Sequence, residues 1–324
     1  MLFRSEATAT LQKEIGDPAL SVACIGPAGE RLVRFAAIIN ETSRAAGRGG
    51  LGAVMGSKNL KAVTASGNGR ITVADHDRFT ALKREMAEKI RKNPISGEGL
   101  PGFGTAVLVN IINENYILPT RNFQTAHFPA AEKVSGERMA ESILVGKMGC
   151  QGCIIRCGRD VEVEGKRTAG PEYETIWAFG PDCGIDDLAA VVEANNICND
   201  LGLDTISTGS TIACAMELSE RGYIQDEIRF GDAELMLDLV QRIGYREGIG
   251  DELAEGSFRF ARKHGHPELS MSVKRQELPA YDPRGLQGHG LAYATSVRGG
   301  DHVYAYLIAP EVLGSPEKID PYSS

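Results

Sequence analysis

The chain has 324 residues, a length that fits two domains or parts of two. Lys and Arg number 35 against 43 Asp and Glu, and the resulting net charge of −8 excludes a typical nucleic-acid-binding protein, which needs surplus basic side chains on one face. The sequence has neither an uninterrupted apolar run of roughly 18 residues nor a basic-then-apolar leader, so we expect a cytoplasmic protein with no membrane partner.

The start of the chain has the pattern of the end of a β-rich domain. Apolar stretches at 20–25 and 32–39 flank a glycine-containing turn. Residues 60–65 are typical of a short strand, and residues 66–70 are typical of a linker. We therefore assign residues 1–70 to the C-terminal part of a β-rich domain.

After residue 70, apolar residues recur at helical spacing. A helix capped by Asp75 or Asp77 is expected to place these apolar residues in the core: Phe79, Leu82, Met86 and Ile90. Further helices are predicted from Leu188 to a stop at Gly202 with a cap at Asp186 or Asp187, between Asp232 and Gly244, and over 251–263 with Leu253, Phe258 and Ala261 facing inward. The expected fold class is α+β, with a helical domain at 71–265 and the start of another at 266–324.

Three of the seven cysteines form the short motif C-x2-C-x3-C at Cys150, Cys153 and Cys157. Glycines inside and beside the motif let the backbone curl, so the three thiolates can bind three irons of a [4Fe–4S] cluster. A zinc site usually needs a second pair of ligands, and the radical-enzyme motif has the reverse spacing. Three unrelated core thiols are the remaining alternative, and we favour the cluster.

A fourth ligand is required, and three other cysteines are candidates. Cys198 and Cys214 lie in helical apolar patterns, where a free cysteine usually acts as a small core residue. Cys183 lies in a glycine- and proline-containing turn and is the best internal candidate, although a weak one.

A glycine-dense loop spans residues 47–58 and carries Arg48 and Lys58, with Lys61 just beyond it. Backbone amides of such a loop can approach an anion. The spacing matches neither the P-loop nor the dinucleotide-binding motif. From the residues alone, an anion cradle and a structural turn are equally favoured.

Six sequence blocks, in order along nearly the whole chain, resemble the aldehyde:ferredoxin oxidoreductase family of tungsten enzymes. They are CIGPAGE (24–30), AAGRGGLGAVMGSKNLKAV (45–63), GCQGCIIRCGR (149–159), GPEYET (170–175), NDLGLDTIS (199–207) and KRQELPAYDPRGLQGHGLAYATSVRG (274–299). The resemblance implies a tungsten (or molybdenum) bis-molybdopterin cofactor with magnesium bridging the pterin phosphates. It also implies a [4Fe–4S] cluster that passes electrons to ferredoxin while an aldehyde and water become a carboxylic acid.

The resemblance also assigns residues to these tasks. The three motif cysteines would bind the cluster, Glu174 would be a catalytic carboxylate near the metal, and Arg48 and Gly49 would lie against the pterin phosphates. The remaining cofactor-binding positions would be Asn199, Asp200, Gly202, Leu203, Asp204 and Lys274. Without the resemblance, Glu174 would be read as a solvated loop acid.

The sequence departs from the family pattern at two positions. The pterin loop begins with Asn199 rather than aspartate, so the pterin hydrogen bond would come from Asn199 or Asp200. Some members carry a histidine two residues before the lysine, where this chain has Ser272, with His289 and His302 as nearby alternatives.

Both ends resemble mid-domain sequence, so we expect a piece of a longer polypeptide. Its fourth cluster ligand and second pterin loop would lie beyond Ser324, and the piece alone would be inactive. The expected partners are ferredoxin and a small aldehyde or acid; a homodimer is also compatible. The alternatives are a relative that reduces another carbonyl, carboxylate or aromatic thioester with a dedicated redox partner, and a non-catalytic iron–sulfur carrier.

Overall fold

The strands near the start of the chain form one small antiparallel sheet. In the computed structural model, which describes residues 3–41 and 43–314, the strand order is β3-β2-β1-β4. The bounds are β1 Ser21–Cys24, β2 Ile38–Asn40, β3 Arg44–Ala46 and β4 Ala62–Ala65. The predicted strand at 60–65 is confirmed. The stretch 32–39 is extended only at its end, since Leu32 has a positive φ of 59°.

A second antiparallel sheet, of order β5-β6-β7, carries the cysteine motif. Its strands are β5 Leu144–Met148, β6 Gly158–Val163 and β7 Lys166–Ala169. Met148 pairs with Gly158, so residues 149–157 form the loop that joins β5 to β6. Two further short strands, β8 Ser272–Val273 and β9 Gln276–Glu277, pair with each other.

Helices make up most of the remaining structure, and the α+β fold class is confirmed. The α-helices are α1 Arg4–Ile15, α2 Pro27–Glu30, α3 Leu51–Ser57, α4 His76–Lys92, α5 Leu100–Phe103, α6 Leu108–Glu114, α7 Gly136–Ser142, α8 Tyr173–Phe179, α9 Leu188–Leu201, α10 Thr205–Glu220, α11 Ala233–Tyr245, α12 Ile249–Leu253, α13 Ser257–Lys263 and α14 Gln287–Thr295. Short 3-10 helices span Gly104–Val107, Ala131–Val134, Pro181–Cys183 and Pro267–Leu269, and π-helices span Ile95–Gly99 and Ala309–Leu313.

The predicted helix caps are present. Asp187 caps α9 by accepting hydrogen bonds from Ala189 N and Ala190 N, and Gly202 ends that helix in the left-handed conformation with φ +74°. Asp75 and Asp232 cap α4 and α11 in the same manner. The caps could be predicted from the sequence because capping depends on residues only a few positions apart.

Two helix predictions are wrong in part. The apolar side of α4 is not in the core: Phe79 and Leu82 are about half exposed, at 50% and 51%. The predicted helix at 251–263 is broken into α12 and α13 because Gly256 adopts a φ of +88°. Leu253 and Ala261 face inward as expected, whereas Phe258 is only half-buried.

The main core forms around α8 and α10, which pack closely against each other. Trp177 and Phe179 of α8 are fully buried. Gly209 of α10 allows the close approach, since a Cβ atom there would lie 2.5 Å from the carbonyl oxygen of Ala178. This rigid pair positions the start of α8, where the candidate catalytic carboxylate lies.

Within the described part of the chain, one helical stretch, Ile95–Glu114, is long and apolar enough to span a membrane by length and composition alone. It is divided into several short helices, and Val109 and Ile112 within it are fully buried in the main core. The stretch is therefore weak evidence for a membrane span. The two proposed domain boundaries, at 70/71 and 265/266, remain predictions. Part of the last proposed domain, after residue 314, lies outside the described residues.

Candidate active site

A cavity of about 470 Å³ lies where the cysteine hairpin, the glycine loop and helices α8 to α10 meet. Its lining includes six of the twelve site residues predicted from the sequence: Arg48, Cys157, Glu174, Asn199, Leu203 and Asp204. Four further polar side chains in the lining are Arg44, Arg159, Glu172 and His302. Segments far apart in sequence thus converge on one space.

The cysteine hairpin presents two exposed thiols and one half-buried thiol. Cys150 and Cys153 are exposed, whereas Cys157 lines the cavity. Backbone N–H groups of Ile155 and Arg156 donate to the Cys153 sulfur and lower the pKa of that thiol. Burial has the opposite effect on Cys157 and raises its pKa. N–H groups aimed at sulfur are a feature that iron–sulfur sites use to stabilise the reduced cluster.

The three thiols do not converge on one point. Across residues 3–41 and 43–314, no three His, Cys, Asp or Glu side chains lie close enough to bind a single metal ion. This arrangement speaks against a mononuclear zinc site. It is compatible with a cubane cluster, because each thiolate then binds a different iron atom.

Cys183 is not a fourth ligand of this hairpin in the structure. Its side chain is fully buried in the main core, and its sulfur donates to the carbonyl oxygens of Ala178 and Gly209. Burial raises the pKa of this thiol well above its ordinary value, so the thiol stays protonated. Cys198 and Cys214 are also fully buried, as predicted for core residues.

Some residues of the glycine loop must be glycine because they pack closely against the backbone of other segments. A Cβ atom at Gly56 would lie 1.9 Å from the carbonyl oxygen of Gly29, and one at Gly50 would lie 2.3 Å from that of Arg34. These glycines therefore allow α3 to pack against α2 and against the segment that contains Arg34. In contrast, Gly47 lines the main cavity, and Gly49 lines a neighbouring one. A Cβ atom at Gly49 would meet no atom of the described residues within 4 Å.

Arg48 joins the glycine loop to two distant parts of the chain. Its guanidinium donates to the carbonyl oxygens of Glu277 at 2.6 Å and Gly300 at 2.7 Å, and to the Asp204 carboxylate at 3.3 Å. A guanidinium has five N–H donors in a fixed plane, so donors remain for an anion after these contacts.

Residues 199–204 comprise the last residues of α9 and the connection to α10. Asn199, Leu203 and Asp204 line the cavity, whereas the Asp200 carboxylate pairs with Arg4 of α1 at 3.0 Å. The buried Asp204 side chain caps α10 by accepting from Ile206 N and Ser207 N. Gly202 is left-handed and packs against Gly26 N. Asn199 is thus placed to reach a cavity ligand, and Asp200 is not.

Glu174, in the first turn of α8, has a mostly buried side chain, 14% exposed, and one of its carboxylate oxygens accepts a hydrogen bond. Its Oε2 atom accepts from Ala280 N at 3.0 Å, whereas Oε1 has no hydrogen-bond partner among the described residues. Burial raises the pKa of this carboxyl, and nearby His302 partly opposes that effect. A carboxylate with a raised pKa and a free oxygen in a cavity has the properties of a general base.

The histidine beside Glu174 is His302, which the sequence indicated only as one of two alternatives. Its Nε2 atom lies 3.9 Å from Glu174 Oε1. His289 is fully buried between the rings of Tyr281 and Tyr293, and burial lowers its pKa to about 4, so it is neutral. Ser272 is outside the lining of the cavity and its hydroxyl contacts that of Ser270.

Lys274 lines a second cavity, of about 560 Å³, which Gly49 also lines. Its ammonium group donates to the carbonyl oxygen of Ser296 at 2.7 Å. The same cavity is lined by further basic side chains and by fewer acids: Arg34, Arg259, Arg275 and Arg298 against Glu255 and Glu277. An excess of positive charge around an open glycine backbone suits a phosphate group.

The residues present therefore fit the cofactors that the family pattern implies. The main cavity has an unpartnered buried carboxylate oxygen, a polar turn and a cysteine hairpin at its edge. The adjoining basic cavity could accept phosphate groups. These donors match the chemistry of a pterin-bound metal beside an iron–sulfur cluster.

Two regions of the chain match models of the same protein family. The family model described as aldehyde ferredoxin oxidoreductase, N-terminal domain, matches residues 3–67, and the model for domains 2 and 3 matches residues 81–324. The tungsten-containing aldehyde ferredoxin oxidoreductase of Pyrococcus furiosus is 54% identical over 327 residues, which cover 98% of this chain and 54% of that protein. Its counterpart from Thermococcus kodakarensis is also 54% identical, with the same coverage. The chain thus spans about half the length of these relatives.

Two more distant matches have other activities in their names. The aliphatic sulfonate oxidoreductase, WOR-like subunit, of Pyrococcus furiosus is 33% identical over 298 residues, which cover 86% of this chain and 47% of that protein. The active-site complex BamBC of benzoyl coenzyme A reductase, bound to 1,5-dienoyl-CoA, superimposes with a TM-score of 0.75 at 25% identity. That match covers 92% of this chain and 48% of the other.

Proposed function

Because the chain belongs to the aldehyde ferredoxin oxidoreductase family, we propose that the protein oxidises an aldehyde to a carboxylic acid and passes the electrons to ferredoxin. The observation that carries this proposal is the convergence of Glu174, Asp204, Arg48 and Cys157 on one cavity. The proposed electron exit and the proposed proton acceptor thus face the same space.

The proposed role of Glu174 is to accept a proton. When an aldehyde and water give a carboxylic acid, two protons and two electrons are released. The free Oε1 atom of Glu174 would take a proton from the water as its oxygen bonds to the aldehyde carbon. His302, 3.9 Å away, would stabilise the charge on this carboxylate when the imidazole is protonated.

A tungsten–bis-pterin group would supply the two-electron acceptor for this reaction. Asn199 and Asp204, which both line the main cavity, would hydrogen-bond the pterin there. Arg48, Gly49 and the basic second cavity would hold the phosphates and their magnesium. Tungsten is favoured over molybdenum because the 54%-identical relatives are named as tungsten-containing.

The electron carrier would meet the protein at the cysteine hairpin. Lys147 and Arg156 are exposed on this hairpin, next to Cys150 and Cys153, in a chain whose net charge is −8. Basic side chains beside a cluster suit a small acidic carrier such as ferredoxin. A cytoplasmic location is part of the proposal, because none of the seven cysteines, all of which lie in the described residues, forms a disulfide.

The second candidate function is oxidation or reduction of a different substrate. The sulfonate oxidoreductase subunit and the benzoyl coenzyme A reductase complex share this fold region and carry other activities in their names. A non-catalytic iron–sulfur carrier is disfavoured, because such a carrier would have no use for a buried carboxylate beside a 470 Å³ cavity.

A substrate profile separates these functions. The full-length gene product that contains this chain would be produced anaerobically with tungstate. It would be assayed with aliphatic aldehydes, aromatic aldehydes, sulfonates and aryl thioesters, with a viologen dye as electron acceptor. We expect dye reduction with aldehydes and carboxylate as product. Activity confined to sulfonates or thioesters would favour the second candidate, and iron without tungsten or pterin would favour the carrier.

A further inference from the structure

An ion pair lies at the junction between the cysteine hairpin and the main cavity. Arg44 on β3 donates from Nη1 to Glu172 Oε1 at 3.4 Å, and both side chains line the cavity together with Cys157. The other terminal nitrogen of Arg44 lies against Gly158, where a Cβ atom would approach it to 2.9 Å. The guanidinium is therefore next to the third cysteine of the motif.

Glu172 is anchored on its other side as well. Its Oε2 atom accepts from the Thr105 hydroxyl at 2.5 Å, and the Thr105 hydroxyl oxygen accepts from Tyr173 N at 2.9 Å. Glu172 is the residue immediately before α8, the helix that carries Glu174. Arg44 is thus held in place by a carboxylate that is itself fixed to the start of the catalytic helix.

We propose that Arg44, held by Glu172, sets the reduction potential of the cluster at Cys150, Cys153 and Cys157. The inference rests on the proposed cluster. In the half-reaction concerned, one electron enters the cluster and no covalent bond is formed or broken. Arg44 is not proposed as a catalytic residue. Its proposed role is to supply a positive charge beside the cluster, without contact with the substrate.

The sign of the effect follows from electrostatics. A reduced cluster carries one more negative charge than an oxidised one, so a nearby cation stabilises the reduced form and raises the potential. The Arg44 guanidinium stabilises negative charge on sulfur, since it lowers the pKa of the Cys153 and Cys157 thiols. The Glu172 carboxylate has the opposite effect and raises the pKa of the Cys157 thiol. Both side chains are about two-fifths exposed, at 41% and 42%, so water screens part of the effect.

Neutralisation of the two partners should therefore shift the midpoint potential of the cluster in opposite directions. Arg44→Gln should lower the midpoint potential, and Glu172→Gln should raise it. Arg44→Lys keeps the positive charge and should restore most of the original value. For Arg44→Gln we expect the reduction equilibrium constant to fall at least threefold, which is about 28 mV for a one-electron couple.

The test is a mediated redox titration with dithionite, followed by EPR of the reduced cluster in the anaerobically purified holoprotein. Arg242→Gln is the matched control, because Arg242 forms a similar half-exposed pair with Asp238 on α11. Its potential should equal that of the unmodified protein. Iron and acid-labile sulfide would be measured for each variant, so that cluster loss is not mistaken for a shift.

Opposite shifts in the two Gln variants, with recovery in Arg44→Lys, support the role of Arg44. An intact cluster with an unchanged potential in Arg44→Gln, or an equal shift in Arg242→Gln, overturns it while leaving the proposed function in place. A protein that holds no iron at all overturns both.

Discussion

Glu174 Oε1 lies 3.9 Å from His302 Nε2 at the edge of the main cavity, although the two residues are far apart in sequence. The other oxygen of the carboxylate accepts a hydrogen bond from Ala280 N, which orients the carboxylate. Burial raises the pKa of Glu174, and the nearby imidazole limits that rise. The arrangement leaves one carboxylate oxygen available for proton transfer.

Glu174→Gln should abolish most of the aldehyde oxidation while leaving the fold intact. Removal of a general base typically costs about 10²- to 10⁴-fold in rate. Because only the ionised carboxylate accepts a proton, kcat/KM of the unmodified protein should rise with pH through the raised pKa of Glu174. The variant should show neither the rate nor this rise in a viologen-coupled assay. Glu234→Gln, at an exposed position on α11, is the control and should retain full activity.

His302→Gln should move the pH dependence rather than remove the activity. Since His302 lowers the pKa of Glu174, its loss should raise that pKa and shift the rising limb of the kcat/KM profile to higher pH. The measurement is a full pH profile for both proteins. A profile that keeps its position on the pH axis would show that the two side chains are not coupled.

Asp182→Asn should stabilise the protein at alkaline pH. Asp182 is fully buried, and burial raises the pKa of its carboxyl from 3.8 to about 8. Between these two pH values the folded state binds more protons than the unfolded state, so the free energy of unfolding falls as pH rises. At pH 8 the asparagine variant should be more stable by an amount on the order of a few kcal/mol.

Thermal unfolding at pH 4.5 and pH 8.5 checks this prediction. The gain in Tm should be large at the higher pH and small at the lower one. Asp226→Asn, at an exposed position, should leave Tm unchanged at both. A gain of equal size at the two pH values would mean that ionisation of Asp182 is not its cause.

Gly56→Ala should lower the free energy of unfolding, because Gly56 packs α3 closely against α2. The new Cβ atom would lie 1.9 Å from Gly29 O, and backbone atoms of α2 cannot yield as a flexible side chain would. Forced overpacking of this kind costs about 1–3 kcal/mol. Gly67→Ala adds the same methyl group where no atom in the described part of the chain lies within 4 Å, and it should change stability by less than about 0.5 kcal/mol. Denaturant midpoints of the two variants give the comparison, and similar midpoints would refute the packing role.

Features governed by neighbouring residues could be predicted from the sequence. The α9 helix begins at the Asp187 cap and ends at Gly202 as expected. The strand at Ala62–Ala65 was predicted from its apolar run and flanking turns. In each case the signal and the structure it produces lie within one element.

Features governed by distant segments could not be predicted in this way. The α4 periodicity indicates an apolar face but not what covers it, and Phe79 is half exposed. The importance of His302 depends on its approach to Glu174, which only the packing of the final described segment against α8 reveals. Cys183 had a favourable local sequence, yet the turn that carries it is buried in the core. The break at Gly256 was missed because the flanking apolar residues keep helical spacing.

Metal and cofactor analysis of the anaerobically purified protein, with EPR of the dithionite-reduced sample, tests most directly whether the cysteine hairpin holds iron beside a pterin cavity. We predict iron and acid-labile sulfide in equal amounts, tungsten with pterin, and an EPR signal that Cys153→Ser removes or alters. Zinc in place of iron, or a colourless protein without sulfide or pterin, would contradict the proposed function.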